Sequence, residues 1–429
     1  KDIRKKLHYT LMVLVVIRIG SLLPIPGVDT EYFSTLLSGF NSGDLSYLSA
    51  FTGGSFEKMS LFALSITPYI TSSIIMQLLT IAIPKLEEMQ KEGEDGRKKI
   101  ASITRYVTIA LALIESIAMA VGFGRQGLIK DYKDMSTIHY VTCIIVVVAA
   151  LTAGSAVLMW IGERITEKGV GNGISIVLLI NIISGMPSDF VTLYSTFVAN
   201  KSIARGVTVA VIIAAIVIAV VVLVVILQDG ERRIPVQYSQ KVAGRKTIGG
   251  QATNIPLKVN TAGVMPIIFA SSIMQFPVII VQLFTSNSYE WTKYLSQSYW
   301  CRVQMPKYSI GLLLYIILVV VFAYFYTSIT FNPVQIADNL KKAGGVVPGI
   351  TPGRSTSEYL NKILNYIVFI GAVGLMIVAL IPIMCTGFFN ASVSFGGTSI
   401  IIIVGVVLET MKQIESMMVN RNYRGFLSE

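Results

Sequence analysis

Charge is what this sequence has least of. Asp, Glu, Lys and Arg make up 14% of its 429 residues, while 53% are apolar. Soluble globular proteins carry about 25% charged residues, so lipid or a large membrane-buried core is the implied solvent. Cysteine is almost missing: Cys143, Cys301 and Cys385 stand far apart and follow no CxxC or metal-ligand spacing. That argues against a disulfide scaffold and against a thiolate metal site. The two histidines, His8 and His139, fall at opposite ends of the first and fourth apolar runs and read as interfacial residues. No phosphate cradle is present either, because "GRKT" lacks the upstream glycine spacing and the strand–loop–helix context. "GVGNGIS" (Gly169 to Ser175) leads into an apolar run and reads as a flexible entry or hinge. With no catalytic constellation, neither cofactor nor metal is expected. Any work must draw on a partner or on the membrane potential.

What the sequence does have is long apolar runs. A spanning helix needs roughly 20 mostly apolar residues, and ten stretches qualify: about 7–23, 66–83, 104–123, 138–161, 173–196, 206–227, 261–284, 308–330, 364–384 and 398–418. The fifth is the weakest, since "NIISGMPSDF" interrupts it. Ten spans put both termini on one side. Lys and Arg favour that side by well over two to one, which makes it cytosolic. The opening "KDIRKK" resembles the basic region of a signal peptide, but Arg18 interrupts the run and no small-x-small cleavage site follows, so a retained first span is expected. The first residue is Lys1, so the numbering is expected to begin a little way inside the native protein.

Two cytosolic connections, about 228–260 and 331–363, are of a length that goes with either a function or disorder. The first predicts a hairpin, with "RRIPVQYSQ" alternating apolar and polar residues and "AGRKTIGG" at its tip. Arg232 and Arg233 at the base, with Arg245 and Lys246 at the tip, suit an acidic or RNA-rich partner. An anchor facing anionic lipid explains charge near the bilayer but not a loop that carries it away.

Ionisable residues inside the spans are Arg18, Glu115, Glu163 near one end, and Glu409. A charge at a helix centre costs about 2.5–3.5 kcal/mol on insertion scales, so each is a functional candidate. Glu115 is the most central acid. It reads as a buried helix–helix hydrogen bond or, less well without a second acid nearby in sequence, as a proton or ion relay. The stretch "SFEKMSLFALSITPYI" (Ser55 to Ile70) is apolar for about two turns and then meets Thr67-Pro68. Proline pushes its predecessor out of the α region, so Ser55 to Leu64 is expected as a short helix on a "FTGGS" tether. Such a segment is either a stopper or a re-entrant structural loop, and periodicity does not separate the two.

Several stretches carry a resemblance: "LLPIPGVD", "FALSITPYITSSIIMQLLT", "KEGEDGRKKIASITRY", "MWIGERITEKGVGNGISI", "IPLKVNTAGVMPIIFASSI", "FNPVQIADNLKKAGGVVPGI", "FGGTSI" and "NRNYRGFL". Over nearly its whole length the chain resembles the SecY family of protein-conducting channels. The resemblance implies an all-α polytopic membrane protein with ten transmembrane helices. They would form two pseudo-symmetric five-helix halves, residues 1–200 and 201–429, around a central hourglass pore. It implies a plug at about 51–64, with Phe51, Gly53, Gly54, Phe56, Met59 and Phe62. It also implies an aliphatic pore ring of Ile66, Ile70, Ile174, Leu178, Ile268 and Ile402.

By the same resemblance a lateral gate lies between spans 2–3 and 7–8, where Gln77, Glu115 and Ser272 fall; the charge at Glu115 departs from the neutral polar residue of many relatives. Arg232, Arg233, Arg245, Lys246 and Arg354 would dock the SecA motor or the ribosome. Here "PGITPG" replaces the usual "PGIRPG", placing Thr351 where relatives have arginine. The implied protein is not an enzyme. It passes unfolded, signal-bearing polypeptides across the bacterial cytoplasmic membrane, releases membrane segments sideways into lipid, and works with SecE-like and SecG-like subunits. A ten-helix secondary transporter coupled through Glu115 is the alternative; it would show clustered midplane polar groups and short cytosolic loops. A polytopic membrane enzyme would need a His/Cys/acid cluster.

Overall fold

In lipid a backbone can satisfy its own polar groups as a helix, and the apolar runs of this chain do so. A computed structural model describes residues 2–39, 52–124, 128–129, 136–197, 203–238, 241–243, 246–248, 252–284, 289–302, 305–389 and 397–426. Each of the ten expected stretches falls on a helix of sixteen residues or more. These are α1 (Asp2–Leu22), α3 (Thr67–Ala82), α5 (Glu94–Phe123), α6 (Thr137–Lys168), α7 (Gly173–Phe197), α8 (Ile203–Asp229), α9 (Met265–Phe284), α11 (Ile310–Thr330), α13 (Arg354–Phe389) and α14 (Gly397–Phe426). Shorter helices are α2 (Thr30–Gly39), α4 (Pro84–Lys91), α10 (Glu290–Leu295) and α12 (Pro333–Lys342). Among the described residues six helices are singly long and apolar enough to cross a membrane, and α3 with α4, bent by 105° at Ile83–Pro84, makes a seventh. Helix α7 runs through Pro187, so the sequence that interrupts the fifth run stays helical.

Helix α3 packs on α5, α5 on α6 and α6 on α7, while α1 leans on α6 and α7. Farther along, α9 packs on α11, α11 on α13, and α8 on both α13 and α14. The two sets meet where α14 contacts α7, α9 contacts α5 and α7 contacts α8. Small residues permit the α5 contacts: Thr104, Thr108, Ala112, Ser116 and Ala120 recur every fourth position and are all buried. Short side chains let membrane helices approach closely and bond across the gap. Ser72 and Thr108 share a 2.5 Å hydrogen bond between α3 and α5, and Ser116 and Thr152 a 2.8 Å one between α5 and α6.

The two long loops build one lobe. Strand β1 (Glu231–Tyr238) pairs antiparallel with β4 (Ala252–Lys258), Glu231 opposite Lys258 and Gln237 opposite Ala252, as the alternating pattern predicts. A small hairpin, β2 (Lys241–Ala243) with β3 (Lys246–Ile248), extends it. From the second loop β5 (Gly345–Val346) joins the free edge of β1, giving the order β4-β1-β5. Ile234, Val236 and Leu257 then pack with Leu340, Val347, Leu360, Ile363 and Ile367. Asn332 caps α12, its side chain accepting from the Val334 and Gln335 amides.

Candidate functional site

The six aliphatic residues singled out in sequence come from four helices. Ile66 precedes α3 and Ile70 lies one turn into it; Ile174 and Leu178 sit on α7, Ile268 on α9 and Ile402 on α14. Five of them are buried in one apolar cluster, and half-buried Ile174 packs against it. Ile70, Ile174, Leu178, Ile268 and Ile402 also line a single cavity of about 390 Å³. Its other walls mix apolar residues such as Val264, Met265 and Leu408 with polar ones, among them Gln77, Asn172, Gln228, Asn260, Lys258, Glu409 and Lys412. Lys412 reaches Asp229 at 2.6 Å, tying α14 to the end of α8. Five aliphatic residues and a set of polar and charged side chains therefore face one cavity. Ile66 lies outside its lining, at the end of the segment that precedes α3.

That segment, 52–66, is not the short helix expected over Ser55 to Leu64. Beyond Thr52 it is a succession of turns, with positive φ at Gly53, Gly54, Met59 and Ser65. Its peptide groups bond within successive turns, as from Met59 to Phe56 and from Ala63 to Ser60, and to the chain leaving α1. The Ile25 amide donates to the Met59 carbonyl at 3.1 Å and the Leu61 amide to the Leu23 carbonyl at 2.9 Å. Phe56, Met59 and Ala63 enter a cluster with Ile25, Phe33, Met119 and Phe123, while Phe62 joins the cluster that holds Ile70, Leu178, Ile268 and Ile402. Phe33, Phe56 and Phe123 meet edge to face, with centroids 5.2–6.5 Å apart. Burying Phe56, Met59 and Phe62 contributes about 1.5–3 kcal/mol each. Against this, the Ser55 and Ser60 hydroxyls are buried without partners, at about 1–3 kcal/mol each. The seat is tight but not fully satisfied. Glu57 and Lys58 are exposed, and Phe51 lies outside the described residues.

Two glycines make room for the segment. A Cβ at Gly154 on α6 would lie 1.9 Å from the Leu61 carbonyl oxygen, and one at Gly20 on α1 would lie 2.1 Å from the Phe62 ring. The glycines of "GVGNGIS" also serve close packing: a Cβ at Gly173 would lie 1.8 Å from the Gly162 carbonyl, and Gly171 has φ +83°. Contact and turn geometry account for them without a flexible hinge.

Among the described residues no hydrogen bond joins Gln77, Glu115 and Ser272. Gln77 lines the cavity with a buried, unpartnered Oε1, and Glu115 and Ser272 are half-buried on α5 and α9. The polar link between α3 and α5 is Ser72–Thr108 instead, which the sequence signalled only through the four-residue spacing of small residues. In the lobe Arg232 is exposed, and Arg233 bonds Glu231 at 2.7 Å. Lys246 opens β3, while Arg245 lies outside the described residues. Arg354 starts α13 and reaches Glu358 at 3.0 Å, both exposed. Such exposed pairs are worth about 0–1 kcal/mol, so both arginines remain free to exchange partners. His8 and His139 are exposed near the starts of α1 and α6.

A family profile described as SecY matches residues 60–411. The chain is 42% identical to the protein translocase subunit SecY of Streptomyces galbus, over 99% of this chain and 97% of that one. It is 38% identical to the SecY subunit of Mycobacterium bovis, with the same coverage. Among solved structures it superposes on a protein-conducting channel with a TM-score of 0.62 at 18% identity, covering 97% of this chain and 93% of that one. A study of the SecY plug domain as stabiliser of the closed channel gives 0.64 at 18% identity, with the same coverage. Sec61 from a canine ribosome–channel complex gives 0.59 at 17%, again covering 97% and 93%. These three likenesses concern the fold; the profile and the sequence identities, running nearly from end to end, carry the assignment, and the chain belongs to the SecY family.

Proposed function

We propose that this protein is the channel-forming subunit of a bacterial protein translocase, a passive pore through which unfolded polypeptides cross the cytoplasmic membrane. One observation carries the reading: five aliphatic side chains from four separate helices meet at one cavity whose wall also carries polar and charged groups. An apolar constriction blocks hydrated ions by dewetting, and its flexible side chains can close around a passing peptide. Segment 52–66, whose Phe62 and Ile66 pack into the apolar cluster that holds the ring residues, acts as the plug. Residues 1–200 and 201–429 act as two halves that part laterally, with Gln77, Glu115 and Ser272 near the seam through which membrane segments leave.

The basic lobe, through Arg232, Arg233, Arg245, Lys246 and Arg354, receives the SecA motor or a ribosome, and both termini face the cytosol with it. SecE-like and SecG-like subunits complete the assembly. A photocrosslinker at Ile268 or Ile402, with a secretory chain arrested in passage, tests the pore. A specific adduct is expected. Its absence, while a crosslinker at Arg245 still reports an engaged partner, would remove the ring assignment.

A further inference from the structure

Arg18 is a charge near the C-terminal end of α1 to which pore, gate and docking surface give no task. Among the described residues it pairs with no carboxylate. Its Nη1 donates to Ser184 Oγ on α7 at 2.8 Å. The Ser184 hydroxyl lies 2.7 Å from the Asn181 carbonyl and 3.4 Å from the Gly53 carbonyl. One turn earlier on α7, Asn181 Nδ2 donates to Ser65 Oγ at 2.9 Å. Gly53 and Ser65 are the two ends of the turn segment, and both rest on the same two residues of α7. The fit at Gly53 is close: a Cβ there would lie 2.5 Å from Ser184 Oγ and 2.6 Å from the Asn181 carbonyl oxygen. Between these ends the Ser55 and Ser60 hydroxyls find no partner, so the side-chain polar attachment is concentrated at the ends.

We propose that Arg18, Ser184 and Asn181 form a polar clasp that holds the turn segment in its seat at Gly53 and Ser65 and so sets how readily the channel leaves its closed state. The guanidinium is a positioning group. It fixes the Ser184 hydroxyl so that its proton points to the Asn181 and Gly53 carbonyls, and a donor that carries its charge permanently does this more firmly than a neutral one. The inference rests on the reading of 52–66 as a plug.

The test is anion leak through the complete translocase complex reconstituted in liposomes without motor or substrate. Excision of residues 53–64 should raise the leak; if it does not, the plug reading fails whatever the clasp does. Given that rise, Ser184→Ala and Asn181→Ala should each raise the resting leak about tenfold, the scale of one lost hydrogen bond in a buried network. Arg18→Met should do the same, and Arg18→Lys, which keeps a charged donor, should restore most of the seal. In the excised background Ser184→Ala should add nothing. A wild-type leak in both Ser184→Ala and Asn181→Ala overturns the clasp, even if Arg18→Met fails to assemble. An equal Ser184→Ala effect with the segment removed also overturns it, since the bond would then serve only the α1–α7 contact.

Discussion

Cys301 shows how a single side chain is governed by its surroundings. It lies in the loop before α11 with φ +58°, next to fully buried Trp300, whose indole donates to the Tyr294 carbonyl at 2.8 Å. Burial pushes the Cys301 thiol up from its ordinary value. The thiolate is the nucleophile, so less of it is present at a given pH than for a free cysteine. In a Cys143→Ser, Cys385→Ser background, maleimide should label Cys301 slowly near pH 7.5, and the rate should keep rising above the pH at which a free thiol levels off. Labelling at the free-thiol rate near pH 7.5 would contradict this. The constriction residues illustrate the limit of reading at this scale. Ile70 and Leu178 look like any membrane-core side chain in sequence, and Ile268 and Ile402 differ from their neighbours only by position on a shared cavity wall. Family resemblance named them; periodicity had no means of separating them from lipid-facing isoleucines.

The turn segment is where an element's conformation depends on other elements. Apolar length and the Thr67-Pro68 break located it and fixed the start of α3, yet its internal form was misread as helical. Besides local turn bonds, its backbone pairs with Leu23 and Ile25, more than thirty residues away, and no local pattern encodes those partners. The ten helices were legible because each satisfies its backbone within itself. Glycine contacts offer a check on the segment's fit. Gly154→Ala drives a Cβ into the Leu61 carbonyl, and overpacking of this kind costs about 1–3 kcal/mol. Resting anion leak should rise, and the thermal midpoint of the detergent-solubilised complex should fall. Gly185→Ala on α7, where a Cβ meets nothing within 4 Å, is the matched control and should change neither. A leak equal in both variants would mean that α6 does not confine the segment.

On the scale of the whole molecule, the lobe built by the two long loops and the proposed pore ring belong to separate apolar clusters. The alternating strand and its tip were readable in the first loop, whereas the pairing of β5 with β1 was not, because the two strands lie more than a hundred residues apart. That pairing matters, since it places Arg232 and Arg233 in the same lobe as the start of α13 and Arg354. Leu360 is fully buried at the centre of the lobe, and Leu→Ala at such a site costs about 2–5 kcal/mol. Leu360→Ala should therefore weaken binding of motor or ribosome while leaving the resting leak unchanged. Combined with Gly154→Ala, the falls in thermal midpoint should add and the resting leak should equal that of Gly154→Ala alone, because sites without shared contacts add within about 0.3–0.5 kcal/mol. Opening driven by a docked partner is different. If force passes from the lobe to the constriction through α13 and α11, the same pair of substitutions should be non-additive in partner-dependent opening, though additive at rest. Additivity in both states would mean that the lobe holds the partner in place without driving the gate.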